Sequence, residues 1–116
     1  MSHSRRPVFH LGVVDLGVEQ VTLPNGHSLE LAIIRHPGAC AVVALDDDGR
    51  VILIEQYRHA LGKYLWEIPA GCREAQETAE RCAERELLEE AGIVAKRWDP
   101  LGSIVTIPSF CDERIE

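Results

Sequence analysis

From Glu77 to Ala91 the residues favour a helix, and one side of that helix changes character halfway along. The run ETAERCAERELLEEA is rich in Ala, Leu, Glu and Arg, contains no Pro or Gly, and stops at Gly92, a residue suited to closing a helix. At about 100° per residue, Ala79, Cys82 and Ala83 form an apolar stripe that steps of three and four residues carry into Glu86, Glu89 and Glu90. The stripe turns acidic. Glu80, Arg81 and Glu84 fit an ordinary solvated face. Glu86 and Glu90, one turn apart with Glu89 beside them, fit it poorly, because like charges at that spacing repel unless something neutralises them. A divalent cation would do so, and an all-oxygen ligand set with open positions suits Mg²⁺ or Mn²⁺. Spacing alone leaves both the charged face and the cation site open.

The rest of the chain narrows the classes of function. With 116 residues it has the length of one small domain, and 46% hydrophobic with 27% charged residues is a soluble, globular composition. No apolar run approaches a membrane span, and MSHSRRPVFH lacks the apolar centre of a signal peptide, so a cytoplasmic location is expected. Cys40, Cys72, Cys82 and Cys111 show no paired spacing and are read as reduced thiols; the five scattered histidines offer no zinc pattern. A net charge of −7 argues against nonspecific nucleic-acid binding but leaves room for a small anion carried by metal ions and local arginines.

Taken in order, Ser2 to Arg6 is expected to fray, and Val8 to Val18 alternates imperfectly. Glu19 to Leu23, the turn Pro24-Asn25-Gly26 and Ser28 to Arg35 read as a hairpin, giving an N-terminal hairpin over about 8–36. Ala39 to Leu45 reads as a strand covered on both faces, the aspartates 46–48 with Gly49 as a turn, and Val51 to Tyr57 as the next strand. Val94 to Leu101 and Ser103 to Thr106 look extended, with a bend at Gly102. Strands, one long helix and more strand indicate an α/β fold with a mixed sheet.

Written out, Gly71, five residues, Glu77, seven residues and Arg85-Glu86-Leu87-Leu88-Glu89-Glu90-Ala91-Gly92-Ile93 match every fixed position of the Nudix box, so the chain resembles the Nudix hydrolases. The match of Pro108-Ser109-Phe110-Cys111-Asp112-Glu113, fifteen residues after Ile93, to a PGF-x-DE loop is similar to the ADP-ribose pyrophosphatase branch. Glu55-Gln56-Tyr57-Arg58 and Trp66-Glu67-Ile68-Pro69-Ala70-Gly71 resemble that branch too. The resemblance implies a single Nudix domain over 1–116 with the α/β/α sandwich fold and the box at 71–93.

It also implies roles. Glu86 and Glu90 would bind metal, with Glu89 a third ligand or a water-orienting carboxylate and the Ala70 carbonyl completing the shell. Glu77 and Arg85 would form an ion pair tying the loop to the helix, and Gly71 would need an unusual backbone conformation. Arg58 would reach the substrate, although by itself it reads as a surface arginine. Glu113 would be a catalytic or substrate-side carboxylate, its plain reading being a surface glutamate near a terminus. Trp66 is read as core before base-stacking platform. Ser109 stands where the loop usually has glycine, so a left-handed turn there would be strained.

The implied reaction is metal-dependent hydrolysis of the diphosphate of ADP-ribose or a related ADP-sugar to AMP and a sugar phosphate. The alternatives are hydrolysis of another nucleoside-diphosphate sugar, or a Nudix module that senses ADP-ribose without cleaving it. A homodimer through the N-terminal hairpin is implied as well. Relatives continue past the DERI position into a further strand, a loop that commonly carries the general base, and a closing helix; this chain stops at Glu116, so truncation at the C-terminus is expected.

Overall fold

The structure, a computed structural model, describes residues 3–116 and falls into two compact units. One comprises the chain up to Gly38 together with Ser103–Ile115; the other comprises Ala39–Gly102 with Glu116.

In the first unit, strands β1 (His3–Leu11), β2 (Val14–Thr22) and β3 (Ser28–Arg35) form an antiparallel sheet in that order. Gly12, at φ 57°, turns β1 into β2. At the second turn Gly26 has φ 86°, and the Asn25 side chain accepts from the His27 amide at 3.1 Å, the local bonding that makes Asn a turn residue. The expected fraying of Ser2 to Arg6 is corrected: from His3 onward the chain is paired, Ser2 lying outside the described residues.

The reason is a charge. Glu19 is only 2% exposed, and a buried carboxylate needs partners. Arg5 supplies one at 2.7 Å from directly across the ladder, and Arg35 binds both oxygens at 2.8 and 2.6 Å. Arg5 also bonds the Asp15 carboxylate and carbonyl, each at 2.9 Å. A Cβ on Gly17 would fall 2.5 Å from the Arg5 guanidinium carbon, so the glycine lets that side chain cross the sheet.

Strands β8 (Ile104–Val105) and β9 (Arg114–Ile115) pair antiparallel in the same unit. The loop between them runs beside β3: the Ile34 amide donates to the Phe110 carbonyl at 2.7 Å, and Ile34 and Cys111 make a parallel bridge. Ladders of both senses are present. Gln76 is the one described non-glycine residue at positive φ, so the strain expected of Ser109 does not arise. Residues 107–111 instead wind as a tight turn closed by Phe110 and Cys111 amides on the Ile107 carbonyl.

In the second unit β4 (Ala39–Ala41) pairs with β7 (Ala70–Cys72), and β5 (Ile54–Arg58) forms a hairpin with β6 (Lys63–Glu67) around a 3₁₀ turn at His59–Leu61. Both predicted strands, Ala39 to Leu45 and Val51 to Tyr57, are shorter than expected. Between β4 and β5 pairing survives as isolated bonds such as Ile52 amide to Ala44 carbonyl at 2.9 Å. The aspartate run is a turn: Asp46 accepts from the Asp48 and Arg50 amides, both at 2.9 Å, which holds its carboxyl below the usual range. The segment expected to be extended at Val94 to Leu101 contains no strand.

Helix α1 (Ala79–Ala91) begins two residues later than the pattern suggests, because Thr78 takes the cap position and accepts from the Arg81 amide at 3.3 Å. Gly92 closes it at φ 67°. Its buried side packs Cys82 and Leu87, and Cys40, Val42 and Pro69 are also buried in this unit. The Cys40 thiol donates to the Ala79 carbonyl at 3.2 Å, and burial pushes the Cys82 thiol up to about 12. All four cysteines are free. No helix among the described residues is long and apolar enough to cross a membrane.

Candidate active site

Arg85, on the second turn of α1, organises the residues that the sequence singles out. Its Nε and Nη2 bind the two oxygens of Glu77 at 2.8 and 2.9 Å, and Nη2 also reaches the Cys72 carbonyl at 3.1 Å. Its Nη1 binds Glu86 at 2.7 Å and Glu89 at 3.3 Å. One guanidinium thus straps the loop before the helix to the helix itself. The Glu77 carboxyl is held down to about 2, chiefly by the hydrogen bond from Arg85. The loop is closed further by the Glu74 amide on Glu77 at 3.1 Å and by Arg73 on the Glu77 carbonyl at 2.7 Å.

Gly71 behaves differently from the expectation. Its backbone is extended, in β7, and its φ is not in the left-handed region. The glycine is required by space instead: a Cβ there would fall 2.5 Å from Oε2 of Glu86 and closer still to the rest of that carboxyl group. Beside it, the Ala70 amide donates to Glu90 at 3.0 Å. Strand β7 and the acidic side of α1 are therefore in direct contact.

Repulsion among Glu86, Glu89 and Glu90 is relieved in part by a charge on the helix itself, Arg85, which binds Glu86 and Glu89. Among the described residues no three carboxylate, histidine or cysteine side chains converge as a ready metal cage. The donor set nevertheless fits a hard divalent cation. It offers only oxygen from side chains, two of its carboxylates lie against β7, and the space left by Gly71 is filled by the Glu86 carboxyl group.

Arg58 ends β5 and lies along its hairpin. Its Nε binds Glu67 at 2.7 Å and its Nη2 binds the second oxygen, a bidentate pair that raises Arg58 and lowers Glu67 from their ordinary values. The charge of Glu90 raises Arg58 further, which puts this arginine within the electrostatic reach of the acidic helix. Sequence reasoning passed over Glu67; the signal was available, since residues 54, 56 and 58 share a hairpin face with 63, 65 and 67. The opposite face carries Tyr57, Tyr64 and Trp66. Tyr57 and Tyr64 are tilted ring to ring at 5.2 Å, and Trp66 is 69% exposed, so reading Trp66 as core is corrected.

Glu113 belongs to the other compact unit. There Thr106 donates to its Oε2 at 2.6 Å, and His36 Nε2 lies 3.6 Å from its Oε1. Neither neighbour was anticipated.

An acidic helix strapped to a glycine-bearing strand by one arginine has a counterpart among known domains. A model of the NUDIX domain matches residues 34–115, and the chain belongs to the Nudix family. It is 43% identical over 110 residues to the ADP-ribose pyrophosphatase of Bacillus subtilis, covering 95% of this chain and 60% of that protein. It is 44% identical to the methanol dehydrogenase activator of Bacillus methanolicus, covering 93% and 58%, and 41% identical to the ADP-ribose pyrophosphatase of Mycobacterium tuberculosis, covering 91% and 52%. The chain thus spans between 52% and 60% of the length of these curated relatives. A crystallised ADP compounds hydrolase shares its fold, with a TM-score of 0.80 at 21% identity over 97% of this chain and 61% of the other. The fold is the α/β Nudix fold.

Proposed function

We propose that the chain, read as one Nudix domain, acts in metal-dependent hydrolysis of the diphosphate of ADP-ribose or a related ADP-sugar, releasing AMP and a sugar phosphate. The observation that carries this reading is the intact acidic face of α1, with Glu86 and Glu90 against β7 and Arg85 binding Glu77, Glu86 and Glu89. The substrate class is supported by the 43% and 41% likeness to two ADP-ribose pyrophosphatases.

Glu86, Glu89, Glu90 and the Ala70 carbonyl are the residues that would hold Mg²⁺ or Mn²⁺. When bound, the ion neutralises phosphate oxygens and acidifies water. Arg85 keeps the carboxylates on one side of the helix before any substrate arrives, so little reorganisation is needed. Arg58, locked on one edge by Glu67, offers a fixed cation to a phosphate of the substrate. Glu113 serves as the substrate-side or water-positioning carboxylate. We read the protein as a cytoplasmic homodimer assembled through its N-terminal strands; free cysteines accord with a reducing compartment.

The test is AMP release from ADP-ribose with Mg²⁺, with and without EDTA, for the wild type and Glu90→Gln. Partners of metal ligands typically cost 10–100-fold when removed, so loss of a ligand charge should cost at least about tenfold. Unchanged, EDTA-resistant turnover in the variant removes Glu90 from the site. Stabilisation by ADP-ribose without turnover favours a sensing module, and turnover of another nucleoside-diphosphate sugar alone moves the substrate.

A further inference from the structure

Glu113 is held from both sides, more firmly than a glutamate near the end of a chain requires. Thr106, immediately after β8, donates its hydroxyl to Oε2 at 2.6 Å, a short charge-assisted bond. Beside the other oxygen, His36 Nε2 stands at 3.6 Å, just beyond hydrogen-bond distance. The His36 ring is itself oriented: the Gly38 amide donates to its Nδ1 at 3.0 Å, so the neutral imidazole carries its proton on Nε2, the nitrogen facing Glu113. The ring is 9% exposed, which leaves it little freedom to turn away.

The support continues behind His36. Its backbone amide donates to Asp112 at 2.8 Å, the second Asp112 oxygen accepts from Arg35 at 3.1 Å, and Arg35 is anchored on buried Glu19. The chain of bonds runs from the centre of the β1–β3 sheet to the residue next to Glu113. A solvated surface glutamate has no use for two side-chain partners on opposite oxygens and a third layer beneath them.

We propose that Thr106 and His36 are positioning residues that fix the Glu113 carboxylate for the reaction. This rests on the hydrolase reading given above. Thr106 sets the direction of one oxygen, and His36 keeps the other turned toward the Nε2 proton. Neither needs to touch substrate.

The experiment is a double-mutant cycle on ADP-ribose hydrolysis in Mg²⁺, reading kcat and KM separately. Thr106→Val, which removes the donor at nearly constant shape, is expected to lower kcat by about tenfold with KM little changed, the lower end of the effect of removing a supporting partner. Thr106→Ser restores the donor and should restore kcat. In a Glu113→Gln background Thr106→Val should have no further effect, because both act through one carboxylate. His36→Phe should behave like Thr106→Val. Equal losses in the two backgrounds, or a loss that Thr106→Ser fails to rescue, would overturn the positioning role while leaving the hydrolase reading intact. Absence of turnover in the wild type would instead overturn the reading on which the role depends.

Discussion

The carboxyl group of Glu86 fills the space in which any side chain on Gly71 would lie. Gly71→Ala must therefore displace Glu86, and since the obstacle is the end of a flexible side chain the cost in stability should be about 1 kcal/mol, the low end of overpacking. The loss in function should be larger. Mn²⁺ affinity followed by calorimetry is expected to fall by about tenfold or more while the fold is retained, as when a ligand's surroundings are disturbed. A variant with wild-type affinity would separate Gly71 from the metal ligands.

The strap between Arg85 and Glu77 predicts a pH dependence. The folded-state Glu77 carboxyl titrates at about 2 instead of the usual 4.5, so its contribution to stability is complete above about 4.5 and is lost as pH falls toward 2. Arg85→Gln removes the cause. Urea unfolding across this window should show a steeper decline for the wild type than for the variant, and parallel declines would count against the pair.

Arg58→Lys keeps the charge but not the fork that Glu67 binds. Arg58 is half exposed, so the unfolding midpoint should move by less than about 1 kcal/mol in stability. Loss of one charged hydrogen bond to substrate corresponds to about a tenfold rise in KM for ADP-ribose. A rise in KM with unchanged kcat is the expected signature, and unchanged KM would return Arg58 to the role of a surface arginine.

Glu19→Gln removes the charge shared by Arg5 and Arg35 while preserving volume. Breaking a buried pair typically costs about 3–5 kcal/mol, and the lower end is expected because Arg5 keeps Asp15 and Arg35 keeps Asp112. Chemical denaturation gives the value directly, and a loss under about 1 kcal/mol would show that the arginines are content without Glu19.

The local features of the site were legible because they are local. Helix α1 and its Gly92 closure follow from spacing within one helix, and the Glu77–Arg85 pair, implied by the family resemblance, joins that helix to the loop just before it. What sequence reasoning missed depends on distant residues. The need for Gly71 arises from Glu86, fifteen positions on, and a rule that connects glycine with unusual backbone could not reveal it. Arg5 reads as part of a loose end until Glu19 is seen buried opposite it. Trp66 reads as core because large aromatics usually are, whereas its hairpin face is exposed. The strands around Asp46 are shorter than their apolar runs because such runs mark where pairing is possible, while hydrogen bonds decide where it stops.

The Glu19–Arg35 pair also has a consequence for how the first unit finds its alignment. If β3 slipped by one residue against β2, either Glu30 or Ala32 would replace Leu31 opposite Glu19, and Ile34 or His36 would replace Arg35 opposite Asp15. Such a slip would also turn every β3 side chain to the opposite face of the sheet. A buried carboxylate without its guanidinium is costly, so the ion pair reinforces, with a charge, the register that the alternation of the strands already favours.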